Sequence, residues 1–331
     1  MKVSRVSLTG KPPKTPEWRT SACKVQTVMH SCYAHGDTAR AKDLESRRFV
    51  PHNRKCLDFS PELLLERIKG RSLLLYGDSV MMQLWQSLVC ACGSFDLSVS
   101  VSFLDWYRHN SSSQMYYSSA VCPYGAEHCH LHGGSAFFPK FNSSISFRLF
   151  GWYEKLVENH APLHNTYQIG LLSKLVKRNN LRLNDFLVIN WGLHAHDRAD
   201  YRQRLLAFRQ DLRKVPNSNP RQIFFMETWP QHFAKGYYDF IERTDAIDLK
   251  CHPLPKDSDK DDWKNYVARE VLSNVSNLII IPVAKVLRSQ HDAHIQATSK
   301  LVKFAAADCT HWCLPSGVFN YASMMLMNTI R

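Results

Sequence analysis

The stretch LLLYGDSVMMQLWQSLVC, residues 73–90, opens with apolar residues typical of a buried strand and continues with the apolar spacing of a helix. Gly77, Asp78 and Ser79 stand where the predicted strand gives way to the predicted helix. A serine there lies near a helix N-terminus, where backbone N–H groups and the helix dipole stabilise negative charge. Ser79 is therefore either a nucleophile beside an oxyanion site or, like Asp78, a helix cap. The stretch alone favours neither interpretation.

The composition of the 331-residue chain, with 44% apolar residues, is sufficient for a sizeable core in one large domain or two small ones. Its apolar runs, such as residues 278–283, are too short to cross a bilayer. The first 20 residues lack the apolar core of a signal peptide. We therefore expect membrane attachment only through an N-terminal signal or anchor missing from the residues given.

Ten cysteines and three N-x-S/T sequons, at Asn110, Asn142 and Asn274, favour the secretory pathway. An even number of cysteines suits a disulfide framework, although sequons alone are weak signals. The alternative is a cytosolic protein with free thiols.

The formal net charge of +13 predicts a basic surface for which nucleic acid, acidic glycans or anionic lipid are possible partners. Each basic cluster is by default a solvated face, and acidic polysaccharide is a reasonable partner for the surface as a whole. The sequence contains no zinc finger, RNA-recognition signature or repeat of basic and aromatic residues. Nucleic acid is therefore not an expected partner.

Short β-rich runs alternate with helical patterns, which predicts a mainly parallel sheet covered on both faces. The predicted strands are residues 72–76, 186–190, 222–226 and 278–282. Residues 1–60 are irregular and rich in Cys and Pro, and predict an extension that disulfides attach to a domain at 61–331. Residues 95–150 predict an insertion in that domain. Function collects at the carboxyl ends of parallel strands, and here Ser79, Asn190 and residues 227–230 follow such ends.

A base and an orienting group for Ser79 are available in ADCTHWCLP, residues 307–315. Asp308 and His311 are spaced i, i+3, which places both side chains on one side of a turn. Disulfides from Cys309 and Cys313 would fix such a loop. The alternative is a surface Asp–His pair in a cysteine-rich loop.

The ordered motifs GDS, WQSLVC, NWG, WPQHFAKGYY, RSQHDAH and DCTHWCLP resemble the PC-esterase or trichome-birefringence-like family of the SGNH (GDSL-type) hydrolase superfamily. The resemblance covers about residues 50–330. It implies a three-layer α/β/α sandwich and a Golgi polysaccharide O-acetyltransferase, with esterases as a minority of the family. The co-substrate would be acetyl-CoA or another acetyl donor, and no bound cofactor is implied.

The resemblance assigns Ser79 as nucleophile and Asp308 and His311 as the acid and base of a catalytic triad. It also places disulfide cysteines at Cys90, Cys251, Cys309 and Cys313. Asn190 and Gly192 match the family's N-x-G and are candidate oxyanion-hole donors beside the backbone N–H of Ser79.

The chain departs from the family where Met82 and Gln83 replace an arginine and an asparagine, and where Ala293 and Ile295 replace a glycine and a proline. The lost arginine motivates a second hypothesis, a catalytically silent glycan-binding module. The intact Ser79, Asp308 and His311 favour the enzyme.

Four further residues are candidates for substrate binding: Asp78, Trp229, His232 and Trp312. The tryptophans stand near strand or loop ends, where rings stack on sugars, although aromatic residues more often belong to the core. The clusters HCHLH (128–132) and HAHD (194–197) contain metal-binding residue types, but zinc sites draw on spaced pairs. We expect no metal site, and a disulfide at Cys129 with Cys122 as a nearby partner.

Overall fold

The computed structural model of the chain describes residues 3–4, 32, 38–49, 56–108, 116–117, 129–149, 170–195, 197–214, 222–233, 250–254, 262–295, 308–314 and 316–330. The strands of this part of the chain are β1 (Val3–Ser4), β2 (Arg48–Phe49), β3 (Ser72–Gly77), β4 (Ser100–Arg108), β5 (Tyr116–Tyr117), β6 (Cys129–Phe138), β7 (Ser143–Leu149), β8 (Phe186–Ile189), β9 (Gln222–Met226) and β10 (Leu278–Ile281). Its α-helices are α1 (Thr38–Ser46), α2 (Pro61–Arg67), α3 (Ser79–Gly93), α4 (Leu171–Arg178), α5 (Arg198–Lys214), α6 (Trp263–Leu272), α7 (Ala284–Leu287) and α8 (Gly317–Thr329).

Eight strands form one mixed sheet in the order β10-β9-β8-β3-β7-β6-β4-β5. Pairing is parallel from β10 through to β7 and antiparallel from β7 to β5. The short β1 and β2 pair separately. The predicted strands at 72–76, 186–190, 222–226 and 278–282 all lie in the parallel half. The segment predicted as an insertion at about 95–150 supplies β4 to β7.

Helices cover both faces of the sheet, because alternate residues of each central strand enter different cores. In β3, Leu73 and Leu75 pack into a core shared with α1, α2, α3 and α8. Leu74 and Tyr76 point to the other face and pack with α4, α5 and α6. The predicted three-layer α/β/α architecture with a mainly parallel sheet is therefore confirmed.

The residues before position 60 that the structure describes pack on this framework. Cys32 is bonded to Cys313, and the Arg47 guanidinium forms an ion pair with the Asp292 carboxylate. The Arg40 guanidinium donates to the carbonyls of Asp292 and His294. Among the described residues, no helix combines the length and apolar content of a membrane span. The division of the chain at residue 60 stays a prediction.

The carboxyl ends of β3, β8, β9 and β10 meet at one edge of the sheet. The N–H of Asn190 donates to the Tyr76 carbonyl at 3.0 Å, and the N–H of Glu227 donates to the Ile281 carbonyl at 3.1 Å. The buried Glu227 carboxylate also accepts the N–H groups of Val283 and Ala284, both at 3.1 Å. This edge therefore gathers polar groups from four separate parts of the sequence.

Candidate active site

Ser79 is the first residue of α3, and the turn from β3 places it at the sheet edge. Asp78 is the N-cap: its Oδ1 accepts the N–H groups of Val80 at 3.1 Å and Met81 at 3.4 Å. Glycine is required at position 77, because a Cβ there would lie only 2.5 Å from the Asn190 carbonyl oxygen. Asp78 is 7% exposed, so its observed role is the helix cap. Contact of Asp78 with substrate stays a prediction.

The structure brings Ser79, His311 and Asp308 into one hydrogen-bonded chain. The Ser79 Oγ lies 2.7 Å from His311 Nε2, and His311 Nδ1 lies 2.7 Å from Asp308 Oδ2. A proton on Nδ1 is donated to the carboxylate, so Nε2 is free to accept the Ser79 hydroxyl proton. The side chains of His311 and Asp308 are 25% and 34% exposed, so this chain reaches the surface.

The electrostatics of the chain keep Asp308 ionised and favour positive charge on His311. Burial opposes ionisation of Asp308, but the His311 charge and hydrogen bonds from His311 and Thr310 hold the pKa of that carboxyl well below its usual range. Burial likewise disfavours the His311 imidazolium, but Asp308 outweighs it and raises the pKa of His311 above its ordinary value. Burial raises the pKa of Asp78 to about 6. Asp308 therefore stabilises the imidazolium that forms when His311 accepts a proton.

Two disulfides hold the loop 308–313, which carries Asp308 and His311. Cys309 is bonded to Cys251, and Cys313 is bonded to Cys32. Neither disulfide includes Cys90, the fourth predicted disulfide cysteine, which lies buried in α3. The side chains of Cys122 and Cys129 lie outside the described residues.

Gln83 on α3 holds the same loop through two hydrogen bonds. Its Nε2 donates to the Trp312 carbonyl at 2.7 Å, and its Oε1 accepts the Trp312 N–H at 3.1 Å. Gln231 adds a contact to Thr310 Oγ1 at 2.9 Å. Sequence reasoning noted Gln83 only as a departure from the family and missed this role, because nothing near Gln83 in the chain indicates the loop 229 residues away.

The two oxyanion-hole candidates, Asn190 and Gly192, differ in whether an N–H group remains available for an oxyanion. The Asn190 side-chain amide donates its two hydrogens to the carbonyls of Met226 and Glu227, both at 3.0 Å. Neither hydrogen remains for an oxyanion, so the side chain of Asn190 is not a donor. Gly192 has a φ of +140°, and a Cβ there would lie 2.3 Å from Thr228 Oγ1. The requirement for glycine at 192 is thus steric, and its backbone N–H stays a candidate.

Three residues predicted to contact substrate are buried in the core. Trp229, His232 and Trp312 are 2%, 0% and 0% exposed. These three side chains present almost no surface to a ligand, and their contact with substrate stays a prediction. Trp229 packs against Trp312 and Phe319 at ring-centroid distances of 6.0 and 5.3 Å. Trp229 and His232 therefore both pack against Trp312 of the active-site loop.

Lys264 on α6 is a buried basic residue near Asp78, and no local sequence pattern indicates its position. Its Nζ donates to the Leu193 carbonyl at 3.0 Å. Burial lowers the pKa of Lys264 to about 8, while the Asp78 carboxylate opposes that shift. Lys264 also lines a cleft with Thr228, Gln231 and Asn265. This cleft extends the polar edge of the sheet toward α6.

The two histidine clusters lie only partly within the described residues. Within the described residues, no group of three His, Cys, Asp or Glu side chains is arranged to hold a metal ion. His194 is exposed, whereas His196 and the side chains of HCHLH lie outside the described residues.

An α/β/α sandwich with a Ser–His–Asp chain at the carboxyl edge of its sheet has the architecture and side-chain geometry found in serine hydrolases and acyltransferases. The chain matches the model of the PC-Esterase family, described as a GDSL/SGNH-like acyl-esterase family found in Pmr5 and Cas1p, over residues 195–329. That segment contains Asp308 and His311 and begins after Ser79.

The chain is also similar to plant proteins over most of its length. Xylan O-acetyltransferase 7 of Oryza sativa subsp. japonica is 21% identical, covering 91% of this chain and 54% of the relative. Protein trichome birefringence-like 1 of Arabidopsis thaliana is 22% identical, covering 91% of this chain and 56% of the relative. Protein trichome birefringence of the same plant is 22% identical, with 91% and 51% covered. These matches confirm the resemblance inferred from the motifs. The chain spans about half the length of these relatives.

Proposed function

We propose that the protein is a serine-dependent O-acyltransferase that moves an acetyl group to a hydroxyl of a polysaccharide. The observation that carries this proposal is the hydrogen-bonded chain from Ser79 through His311 to Asp308. It combines a hydroxyl nucleophile, a base within reach of its proton and a carboxylate that orients the base. The similarity to xylan O-acetyltransferases supports acyl transfer to a polymer hydroxyl.

In the first half-reaction, His311 Nε2 takes the proton of Ser79 as Oγ attacks the carbonyl carbon of the acetyl donor. Asp308 stabilises the resulting imidazolium. The negative charge on the carbonyl oxygen develops beside the first turn of α3, where the Ser79 backbone N–H and the helix dipole stabilise it. We assign Gly192 N–H as a second donor. Collapse breaks the bond to the leaving group, which receives the proton from His311, and leaves acetyl-Ser79.

In the second half-reaction, a polysaccharide hydroxyl gives its proton to His311 and attacks the acetyl-serine carbonyl. Collapse expels the Ser79 oxygen, which recovers the proton from His311. The polymer now carries the acetyl ester and the site is regenerated. If water attacks in place of the hydroxyl, the same residues perform ester hydrolysis, so esterase activity is the alternative outcome of this geometry.

For the acceptor, we propose xylan or a related polysaccharide, since several relatives are named for xylan. The donor is acetyl-CoA or another acetyl donor, used as a co-substrate without a bound cofactor. We place the protein in the secretory pathway, in the Golgi. Two disulfides and the exposed sequon residues Asn142 and Asn274 support an oxidising compartment.

The test compares Ser79→Ala with Ser273→Ala, which removes an exposed hydroxyl at the end of α6. Oxidised protein is treated with a fluorophosphonate probe and, separately, with an acetyl donor and xylan oligomers, followed by mass spectrometry. We expect labelling and acetyl transfer in the wild type and in Ser273→Ala, and neither in Ser79→Ala. Transfer that survives in Ser79→Ala would overturn the mechanism. Labelling with acetate release and no oligomer product would make the protein an esterase.

A further inference from the structure

Two fully buried histidines, His232 and His294, lie side by side beneath the loop 308–313. His232 Nδ1 and His294 Nε2 are 2.6 Å apart, and both side chains are 0% exposed. The outer nitrogens meet backbone carbonyls: His232 Nε2 lies 2.9 Å from the Arg288 oxygen, and His294 Nδ1 lies 2.9 Å from the His311 oxygen. The pair therefore links two carbonyl groups through three short contacts.

The positions of the hydrogens on the two rings follow from the two carbonyl groups that the outer nitrogens contact. A carbonyl oxygen only accepts hydrogen bonds, so His232 Nε2 and His294 Nδ1 must each carry a hydrogen. In a neutral imidazole that hydrogen is the only one on the ring. Two neutral rings would thus face each other with bare lone pairs across 2.6 Å. One further proton between them turns this repulsion into a hydrogen bond and gives the pair a single positive charge.

Trp312 provides an aromatic environment for such a charge. Its ring centroid is 3.9 Å from that of His294, with 31° between the planes, and 5.7 Å from that of His232, at 89°. A cation beside an indole is stabilised by the ring quadrupole. The buried position of Trp312 suits this role.

The charged groups around the pair oppose a second proton. The carboxylates of Asp308 and Asp292 favour charge on the pair, while Arg288, His291 and His311 oppose it. The Arg47 guanidinium neutralises Asp292, and Arg40 donates to the carbonyls of Asp292 and His294. Burial lowers the pKa of His232 to about 4, and burial together with His232 lowers the pKa of His294 well below its ordinary value. Burial thus opposes charge on either ring, and the repulsion between the rings further opposes charge on both at once.

The pair ends at the carbonyl of the proposed base. That carbonyl also accepts the Ile295 N–H at 3.1 Å, and the Cys313 N–H donates to Ala293 at 2.9 Å, so residues 293–295 and 311–313 run as a short antiparallel bridge. We propose that His232 and His294 share one buried proton and act as positioning residues that fix the backbone of His311. The consequence for catalysis rests on the proposed function, whereas the shared proton does not.

Nuclear magnetic resonance of wild-type protein labelled with 15N-histidine tests the proton count directly. We expect three protonated ring nitrogens on the pair, one of whose protons is coupled to nitrogens of both rings. His232→Gln and His294→Asn assign the signals, because each keeps an amide donor for its carbonyl and removes the shared proton. His291→Gln is the matched control, with a ring centroid 6.3 Å from His232, and should retain all three signals. Two protons on the wild-type pair would overturn the proposal.

Kinetics with the same variants test the positioning role. Since a misplaced base costs roughly ten- to a hundredfold in rate, we expect about tenfold lower kcat in His232→Gln with KM unchanged, and less than about twofold change in His291→Gln. Unaltered kcat in a His232→Gln protein that has lost the shared proton would overturn positioning. Failure of the proposed function looks different: Ser79→Ala would retain activity while the wild-type proton signature remained.

Discussion

Ser79 and His311 form one hydrogen bond, yet the two sides of that bond are built in different ways. Ser79 stands between a strand paired on both sides and a 15-residue helix, and Asp78 caps the turn. The loop 308–313 lies outside helices and paired strands apart from one isolated bridge. Its shape depends on two disulfides and on side chains from α3 and from residues 231 and 294.

The difference separates local from distant control of the site. The position of Ser79 follows from about 20 consecutive residues whose pattern is strand, turn and helix. The position of His311 follows from partners that are far away in sequence, such as Cys32 and Gln83. Substitutions among those partners should therefore damage the loop while the sheet and α3 stay folded.

The largest effect is expected from Asp308→Asn, which removes the charge that orients and stabilises His311. We expect kcat to fall by about 10⁴-fold, the magnitude seen for such a change in a serine triad. Acetyl transfer to oligomers measures it. Asp200→Asn on α5, which also removes one negative charge, is the control and should keep its rate. A loss below tenfold in Asp308→Asn would show that the carboxylate is not part of the reacting chain.

Replacing Cys251 and Cys309 together by serine should release one end of the loop. We expect the free energy of unfolding to fall by about 2–4 kcal/mol and serine-probe labelling to slow further than that loss of folded protein explains. Denaturant titration and labelling rates measure the two effects. Cys56→Ser, outside both described disulfides, is the control. Unchanged labelling in the double variant would mean that the loop holds its shape without this bond.

Two glutamines of α3 offer a sharper contrast. Both Gln83 and Gln86 are 0% exposed, but Gln83 holds the Trp312 backbone whereas the Gln86 amide has no hydrogen-bond partner among the described residues. Gln83→Met should reduce the free energy of unfolding by about 2–3 kcal/mol, because it leaves a buried N–H and C=O unpaired. Gln86→Met should be neutral or stabilising. Thermal unfolding of the two variants measures these changes in stability. Equal losses would contradict the proposed role of Gln83 in holding the Trp312 backbone.

The smallest expected effect concerns the pH dependence of acetyl transfer and of stability. Acetyl transfer should rise with pH as His311 loses its proton, with a midpoint above the ordinary histidine value of about 6.5. Because the pKa of His311 is raised, its contribution to stability is complete below about 6.5 and is lost as pH rises through the folded value. Asp308 contributes stability above about 3.9 that is lost as pH falls through its depressed pKa. In Asp308→Asn the midpoint of His311 should move down.

The difference between local and distant control of the site explains which features could be predicted from the sequence. The strand and helix around Ser79 were predictable because their apolar periods are local, and the α/β architecture followed from four such runs. Asp308 and His311 were selected from a short motif, and the structure places both at Ser79. Trp229, His232 and Trp312 are buried in the structure, and residue type and strand-end position do not reveal such burial.

The other misses have equally physical causes. The Asn190 side chain is predicted as an oxyanion donor, but the carbonyls of Met226 and Glu227 accept both of its amide hydrogens. These contacts depend on the order of the strands in the sheet, which a local pattern does not reveal. Gln83 and Lys264 act across separations of 229 and 71 residues. A single sequence contains no local pattern for such pairs.

The 232 residues that separate Ser79 from His311 also order events during synthesis. At roughly 5–20 residues per second, a ribosome adds them in roughly 10–50 s. Throughout that time the nascent chain has its proposed nucleophile but lacks the group that activates it. Because Cys313 also follows, closure of its bond to Cys32 comes after His311 has been made. The Ser79 hydroxyl therefore lacks its proposed activating base until His311 has been synthesised.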